Sequence, residues 1–403
     1  MTKRPLLLSL GGLLAMAAGV GIGRFVYTPI LPPMVEALHL TKSQAGLIAS
    51  ANFIGYLAGA LLAAVRLPGS RRSWLLSSLA ITAICLAAMG LTFSLPLFLL
   101  LRLVAGMASA FALIFSSALV LDRLASAGRG SLSAVHFAGV GSGIAVSAAL
   151  VAILVSNGAA WSSLWFASAA LAIVASLAVA WMVPPDTVVT GIASPVAKAP
   201  VSAAFVALIA AYGLFGFGYV ITATFIVDMV RGAAGIAHLE PYIWVLFGLS
   251  AAPSVALWTW IGRSWGVLRT FAVASLVEAA GVAASALWLH TTGVIVAAVF
   301  VGGTFMGLTA LGLIAARETS PNGTGGDPRS RIALMTASFS AGQILGPVFA
   351  GYVYDATGSL ATPSLVAVAA LVLAALLSVI ADAQRRGAAR AANASLAARK
   401  PEA

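Results

Sequence analysis

Gly19-Val20-Gly21-Ile22-Gly23-Arg24-Phe25-Val26-Tyr27-Thr28-Pro29-Ile30-Leu31-Pro32 places a guanidinium inside an apolar run that extends from Leu6 to Leu31. About 20 such residues cross a bilayer as a helix, and a charge within such a run is costly and rarely without a role. A second case follows at Pro96-Leu97-Phe98-Leu99-Leu100-Leu101-Arg102-Leu103-Val104-Ala105-Gly106. Each arginine lies about seven residues, or roughly 10 Å, from the end of its run that points away from the N-terminal side. Two cations at one depth suggest a polar path through lipid.

The rest of the chain agrees that its solvent is lipid. Of 403 residues, 61% are hydrophobic and 8% charged, and the mean hydropathy is +1.05. A soluble domain carries about 25% charge. The net charge of +11 does not indicate nucleic acid, because the basic residues are scattered between apolar runs and form no stripe with interleaved aromatics. Cys85 is the single cysteine, so no disulfide framework or cysteine metal site is available. Lys3 and Arg4 before an apolar run, with Ala15-Met16-Ala17, imitate a signal peptide, but the run is far longer than a signal core and reads as a retained helix.

Apolar runs bounded by charge, Pro or Gly predict helices over 6–31, 44–65, 73–93, 96–121, 132–156, 161–183, 203–228, 241–261, 268–290, 292–316, 331–354 and 362–381. The expected class is an all-α integral membrane protein of twelve transmembrane helices in two six-helix bundles. The first bundle covers 1–183 and the second 203–381. The weakly apolar stretch 184–202 reads as a linker, and 382–403 as a basic tail, solvated or lying along headgroups. Of the 22 Lys and Arg, Lys42 and Arg231 fall on the far side, Arg24 and Arg102 fall within spans, and all others fall on the N-terminal side. The positive-inside rule makes that side cytoplasmic, with both termini. Abundant Ala, Gly and Arg suggest a bacterial chain, hence an inner-membrane location.

Gly21-Ile22-Gly23-Arg24 in helix 1 is echoed by Gly216-Phe217-Gly218-Tyr219 in helix 7, and Gly139 to Gly143 in helix 5 by Gly342 to Gly346 in helix 11. The similar offsets suggest duplicated halves in parallel orientation. Glycines four apart, such as Gly55/Gly59 and Gly139/Gly143, let helices approach closely. The Gly-x-Gly runs inside spans follow no strand and are not dinucleotide fingerprints.

Twelve spans, a duplication and a central linker together resemble the major facilitator superfamily. Arg102-Leu103-Val104-Ala105-Gly106 is similar to its R-x-x-x-G signature. Gly342-Gln343-Ile344-Leu345-Gly346-Pro347 resembles its Gly/Pro-rich gating helix. The loop Arg66-Leu67-Pro68-Gly69-Ser70-Arg71-Arg72 is a degraded form of its inner loop and lacks the usual Asp. More narrowly, Gly19 to Pro32, with Gln44-Ala45-Gly46 and Asn52-Phe53-Ile54-Gly55-Tyr56-Leu57-Ala58-Gly59, resembles the YbfB/YjiJ-type branch. The resemblance implies alternating access, and it implies that helices 1, 4, 7 and 10 line a central cavity.

Arg24 and Arg102 are then cavity residues suited to a carboxylate or phosphate. In the alternative, each arginine binds backbone carbonyls at a helix break. Tyr219 is the counterpart of Arg24, so the positive charge is confined to one half, and a less polar ligand body would meet Tyr219, Phe215 and Phe305. Tyr27, Asn52 and Gln343 are further ligand candidates, with interhelical bonding as their alternative. Glu278, the one carboxylate well inside a span, and His136 are the candidates for proton coupling. Gly23, Gly106, Gly143, Gly346 and Pro347 are assigned to gating and packing. No G-x-x-x-x-G-K-[ST] loop, metal-spaced cluster or nucleophile–base pair is found, so neither cofactor nor enzyme activity is expected. The expected function is secondary active transport of a small organic anion, proton-coupled, by a monomer whose other partners are membrane lipid and protons. The rivals are multidrug-type efflux of lipophilic or cationic compounds and a non-transporting sensor.

Overall fold

The computed structural model describes residues 3–63, 65, 67–185, 202–318 and 328–397, all helices and their connections. The described helices are α1 (Pro5–Leu38), α2 (Lys42–Ala63), α3 (Arg71–Met89), α4 (Leu95–Ser126), α5 (Gly130–Ser156), α6 (Trp161–Met182), α7 (Ala203–Gly232), α8 (Ala237–Ala251 with Ser254–Trp265), α9 (Val267–Leu287), α10 (Thr291–Glu318), α11 (Arg331–Thr357) and α12 (Ala361–Ala388). Among the described residues, eleven helices are long and apolar enough to cross a membrane, or twelve with the two parts of α8 taken as one span. Those parts meet at 40°, because Pro253 has no N–H for the Leu249 carbonyl and its ring crowds that turn. The linker expected at 184–202 falls almost wholly outside the described residues. The expected tail begins as a direct continuation of α12, whose helix runs unbroken to Ala397.

Helix α1 differs most from expectation. It contains a π turn over Ala17–Ile22 and then runs through three prolines to Leu38, seven residues beyond its expected end at Leu31. Proline in a helix frees the carbonyl four residues earlier. The carbonyl freed by Pro29 belongs to Phe25, and it accepts the indole N–H of Trp244 at 3.2 Å. A buried acceptor that finds a donor elsewhere removes much of the cost of the break. Arg24 therefore lies 14 residues, roughly 21 Å, from the end of α1, near the middle of the span.

Equivalent positions of the sequence repeat meet one another. Thr28 donates to the Ala223 carbonyl at 2.8 Å, and Arg231 pairs with Glu36 at 2.6 Å. Both pairs have the separation of 195 residues that relates Arg24 to Tyr219. Such self-equivalent contacts arise where matched helices face across a two-fold axis. Asn52 of α2 donates to the Arg102 carbonyl of α4, and Trp258 of α8 donates to the Gly303 carbonyl of α10. The second helix is thus tied to the fourth at matched places in both sets of six.

Close approach needs glycine at a few places. A Cβ on Gly106 would sit 1.9 Å from the Asn52 carbonyl oxygen, and one on Gly46 would sit 2.2 Å from the Pro347 carbonyl oxygen. The first contact presses α2 onto α4, and the second presses α2 onto α11.

Candidate functional site

The two buried arginines have different surroundings. Arg102 Nη1 and Nη2 donate to the carbonyls of Gly23 (3.3 Å) and Arg24 (3.1 Å), and its guanidinium lies 5.0 Å over the Tyr27 ring. These carbonyls follow the π turn of α1, a geometry that disturbs the regular hydrogen-bond ladder. Arg102 thus pins α4 to the irregular part of α1. Arg102, expected like Arg24 to be a cavity residue, instead has Nη1 and Nη2 committed to protein oxygens, with only its Nε left without a partner among the described residues.

Arg24 has no such partners. Its side chain is 6% exposed, and its Nε and Nη2 have no hydrogen-bond acceptor among the described residues. Its guanidinium carbon lies 4.6 Å from the ring centres of Phe53 and Tyr56 and 5.3 Å from that of Phe25. Ring faces attract the cation by about 0.5–2 kcal/mol each, but they leave its N–H groups unpaired. A buried donor without an acceptor costs about 1–3 kcal/mol. A cation held by rings, with donors to spare, is what an anion with planar oxygens would complete.

Across the seam, Tyr219 stacks on Phe215 (5.3 Å) and Phe305 (5.6 Å), and Phe305 reaches back to Phe25 at 5.7 Å. Gln343 Nε2 donates to Tyr219 Oη, and Gln343 Oε1 has no partner among the described residues. The Tyr219 ring is thus linked through Phe305 and Phe25 to the Arg24 guanidinium. Arg24, Tyr56, Tyr219 and Gln343 therefore belong to one mid-depth region where the two sets of six helices meet.

The remaining predicted residues lie at its margin or apart from it. Tyr27 donates its hydroxyl to the Ala45 carbonyl at 2.9 Å, which ties α1 to α2. Asn52 is committed through Nδ2 to Arg102 O at 3.0 Å, with Oδ1 unpaired. Fully buried Glu278 bonds Thr304 of α10 at 3.1 Å through Oε1, while Oε2 has no partner among the described residues. His136 lies 3.2 Å from Ser117 and packs against α1 at Gly12. Gly23 faces Thr82 of α3, Gly143 faces the Ala17 backbone, and Gly346 faces Val220 and Phe217 of α7. The sequence reading missed Phe53 and Tyr56. Asn52, Phe53 and Tyr56 span one turn of α2, a spacing that already turns Asn52 and Tyr56 to a common face.

The face away from the termini is bridged between the two sets of six. Lys42 pairs with Asp228 at 2.6 Å. Asp355 of α11 caps the start of α2 from the other set, accepting from the Lys42 and Ser43 amides at 3.1 and 3.0 Å. Ser50 donates to the Ile344 carbonyl. On the termini face, the ties run within each set. Arg72 donates to Val183 and Ala180 carbonyls at the end of α6, and Arg269 pairs with Asp382 of α12. These bonds serve the inner loops despite the missing Asp. A cleft of about 970 Å³ opens there between α4–α5 and α8–α10.

Among solved structures, the chain is similar to the nucleoside transporter NupG, solved as a mutant. The TM-score is 0.74 at 15% identity, over 94% of this chain and all of that one. It is also similar to a bacterial homolog of the human lysosomal transporter Spinster, solved inward-facing and unoccupied. There the TM-score is 0.64 at 16% identity, over 95% and 96% of the two chains. At these identities the likeness concerns the fold. No curated protein matches the sequence. Residues 16–379 match the family described as uncharacterised MFS-type transporter YbfB, and the chain belongs to that family of major facilitator transporters.

Proposed function

We propose that the protein is a secondary transporter for a small organic anion, bound at Arg24 with its less polar body against Tyr219, Phe305 and Phe25. One observation carries this reading: a guanidinium near mid-depth, ringed by three aromatic side chains, has two buried N–H-bearing nitrogens and no protein acceptor among the described residues. Permanent charge at that depth is functional by default. Tyr56 and Gln343 supply further polar contacts. Arg102, Tyr27 and Asn52 position the site by holding α1, α2 and α4 together. Transport proceeds by rocking the first six helices against the last six.

The same reading places the protein in a bacterial inner membrane as a monomer, with the termini face cytoplasmic. The distribution of Lys and Arg supports this orientation. Protons drive the cycle through Glu278, whose buried carboxyl meets no described cation and keeps one oxygen unpartnered. His136 is the second proton-coupling candidate.

The test is a thermal-shift screen of purified protein against carboxylates, organic phosphates, nucleosides and lipophilic cations. A ligand that binds the native state raises its melting temperature. The expected hits are carboxylates or phosphates whose effect vanishes in Arg24→Ala. Hits confined to cationic drugs would replace this reading with multidrug efflux. Hits confined to uncharged nucleosides would remove the anion requirement.

A further inference from the structure

The cleft on the termini face has chemistry unlike the rest of the molecule. It is lined by Leu121 and Phe137 from the first six helices and by Val255, Trp260 and Leu311 from the last six. At its rim, Arg263 ends α8 and Arg317 ends α10. Neither arginine pairs with a carboxylate among the described residues, and Glu318, which also lines the cleft, is engaged by Arg385 at 3.5 Å. On the far face, by contrast, Lys42 and Arg231 are both paired. Opposite the two arginines stand Ser131 and Ser133, at the N-terminal turn of α5. That turn presents backbone N–H groups and the positive end of a long helix dipole.

The cleft also has an open side. The outer part of α8 packs directly on α5, where Gly141 meets Gly248 and Ala252. Beyond the 40° bend at Pro253, the inner part of α8 turns away. Leu257 (48% exposed) and Trp260 (68% exposed) then face outward at membrane depth. An apolar slot leads sideways from lipid to two cations that pair with no carboxylate among the described residues, at headgroup level.

We infer that this cleft binds one anionic phospholipid from the cytoplasmic leaflet, taking the orientation proposed above. The phosphate lies between Arg263, Arg317 and the start of α5. An acyl chain lies through the slot along Trp260, Phe137 and Val255. The headgroup touches both sets of six helices, so the lipid holds them at this spacing and favours the conformation with the cleft open. The site is independent of Arg24.

The experiment is native mass spectrometry of the detergent-purified full chain, titrated with phosphatidylglycerol or phosphatidylcholine. One phosphatidylglycerol is expected to be retained in preference to phosphatidylcholine. Near a membrane surface, a basic residue contributes about 1 kcal/mol toward an anionic lipid, so Arg263→Ala/Arg317→Ala should weaken that first binding roughly 30-fold. Arg263→Lys/Arg317→Lys should keep most of it, and Arg24→Ala all of it. Arg269→Ala/Arg386→Ala removes two cations outside the cleft and should leave the preference intact, which separates this site from general surface charge. Unchanged phosphatidylglycerol affinity in the double alanine variant would overturn the inference. So would displacement of the lipid by equimolar glycerol phosphate, which would indicate a site for soluble anions, or by oleate, which would indicate one for fatty acids.

Discussion

Replacing each buried arginine by methionine should separate a structural cation from a ligand-binding one. Methionine keeps an unbranched apolar stem and adapts to irregular gaps. In Arg102→Met, the Gly23 and Arg24 carbonyls lose their donors at 3.3 and 3.1 Å. An orphaned buried polar group costs about 1–3 kcal/mol, so the two carbonyls cost roughly 2–6 kcal/mol, with up to ~1 more for the contact with Tyr27, less about 1–3 for the single unpartnered Arg102 Nε that disappears. In Arg24→Met no acceptor is orphaned. Three ring contacts are lost, but two buried unpaired nitrogens disappear as well. These terms have opposite signs and similar size, so the net change is about 0–1 kcal/mol. The assay is the apparent melting temperature at one fixed scan rate, since proteins of this size often unfold irreversibly. Arg102→Met should melt well below the parent and Arg24→Met close to it. Any anion found in the screen should stabilise Arg102→Met but not Arg24→Met. At a hundred times Kd, that protection is about 2.7 kcal/mol. Equal destabilisation by the two changes, or protection that survives only in Arg24→Met, would refute the division of roles.

Three further outcomes follow from single contacts. Gly106→Ala should lower the melting temperature and the yield sharply, because its Cβ meets backbone at 1.9 Å, while Gly130→Ala, with nothing within 4 Å, should be neutral. Trp244→Phe leaves the Phe25 carbonyl without its indole donor and should cost about 1–3 kcal/mol, read as a lower melting temperature with the helix content unchanged. Lys42→Met weakens the closure of the far face by removing one partner of the 2.6 Å pair with Asp228. A cysteine at Ser50, in a Cys85→Ala background, should then be labelled several-fold faster by a membrane-impermeant maleimide added to that face; an unchanged rate would mean that the pair does not hold the face closed.

The helices could be read directly because lipid imposes length and apolarity on every span, and charge or proline marks most ends. Where the reading stopped short, a tertiary partner had changed the local rule. The prolines of α1 looked like an end, and only the Trp244 indole, 219 positions away, makes the Phe25 carbonyl tolerable inside the membrane. The bend of α8 was present in Pro253 but not its angle. Arg24 and Arg102 are indistinguishable by residue type and surroundings in sequence. What separates them is the π turn, which puts carbonyls under one guanidinium and rings around the other. Tyr56 stayed hidden because an aromatic residue in a span is ordinarily packing, and only the 4.6 Å approach of Arg24 gives it another part.

Among the described residues, the hydrogen bonds and ion pairs between the two sets of helices lie on one side of Arg24 or level with it. Thr28 with Ala223, Ser50 with Ile344, Lys42 with Asp228 and the Asp355 cap all lie toward the far face, and Trp244 with Phe25 is the innermost of these hydrogen bonds, with only the close packing of Gly141 on Gly248 and Ala252 lying further in. A solute that reaches Arg24 in this conformation therefore comes from the termini face. These bonds must also break and re-form in each cycle of a rocking mechanism, so their combined strength is bounded. A state favoured by much more than about 5 kcal/mol could not be displaced by a ligand that binds the alternative ten-thousand-fold more tightly. One part of the closure is weak. Arg231 with Glu36 is largely exposed, at 33% and 71%, and such pairs contribute about 0–1 kcal/mol. The Lys42–Asp228 pair is better shielded, at 14% and 13%, which makes it the part of the closure where a single substitution should shift the balance most.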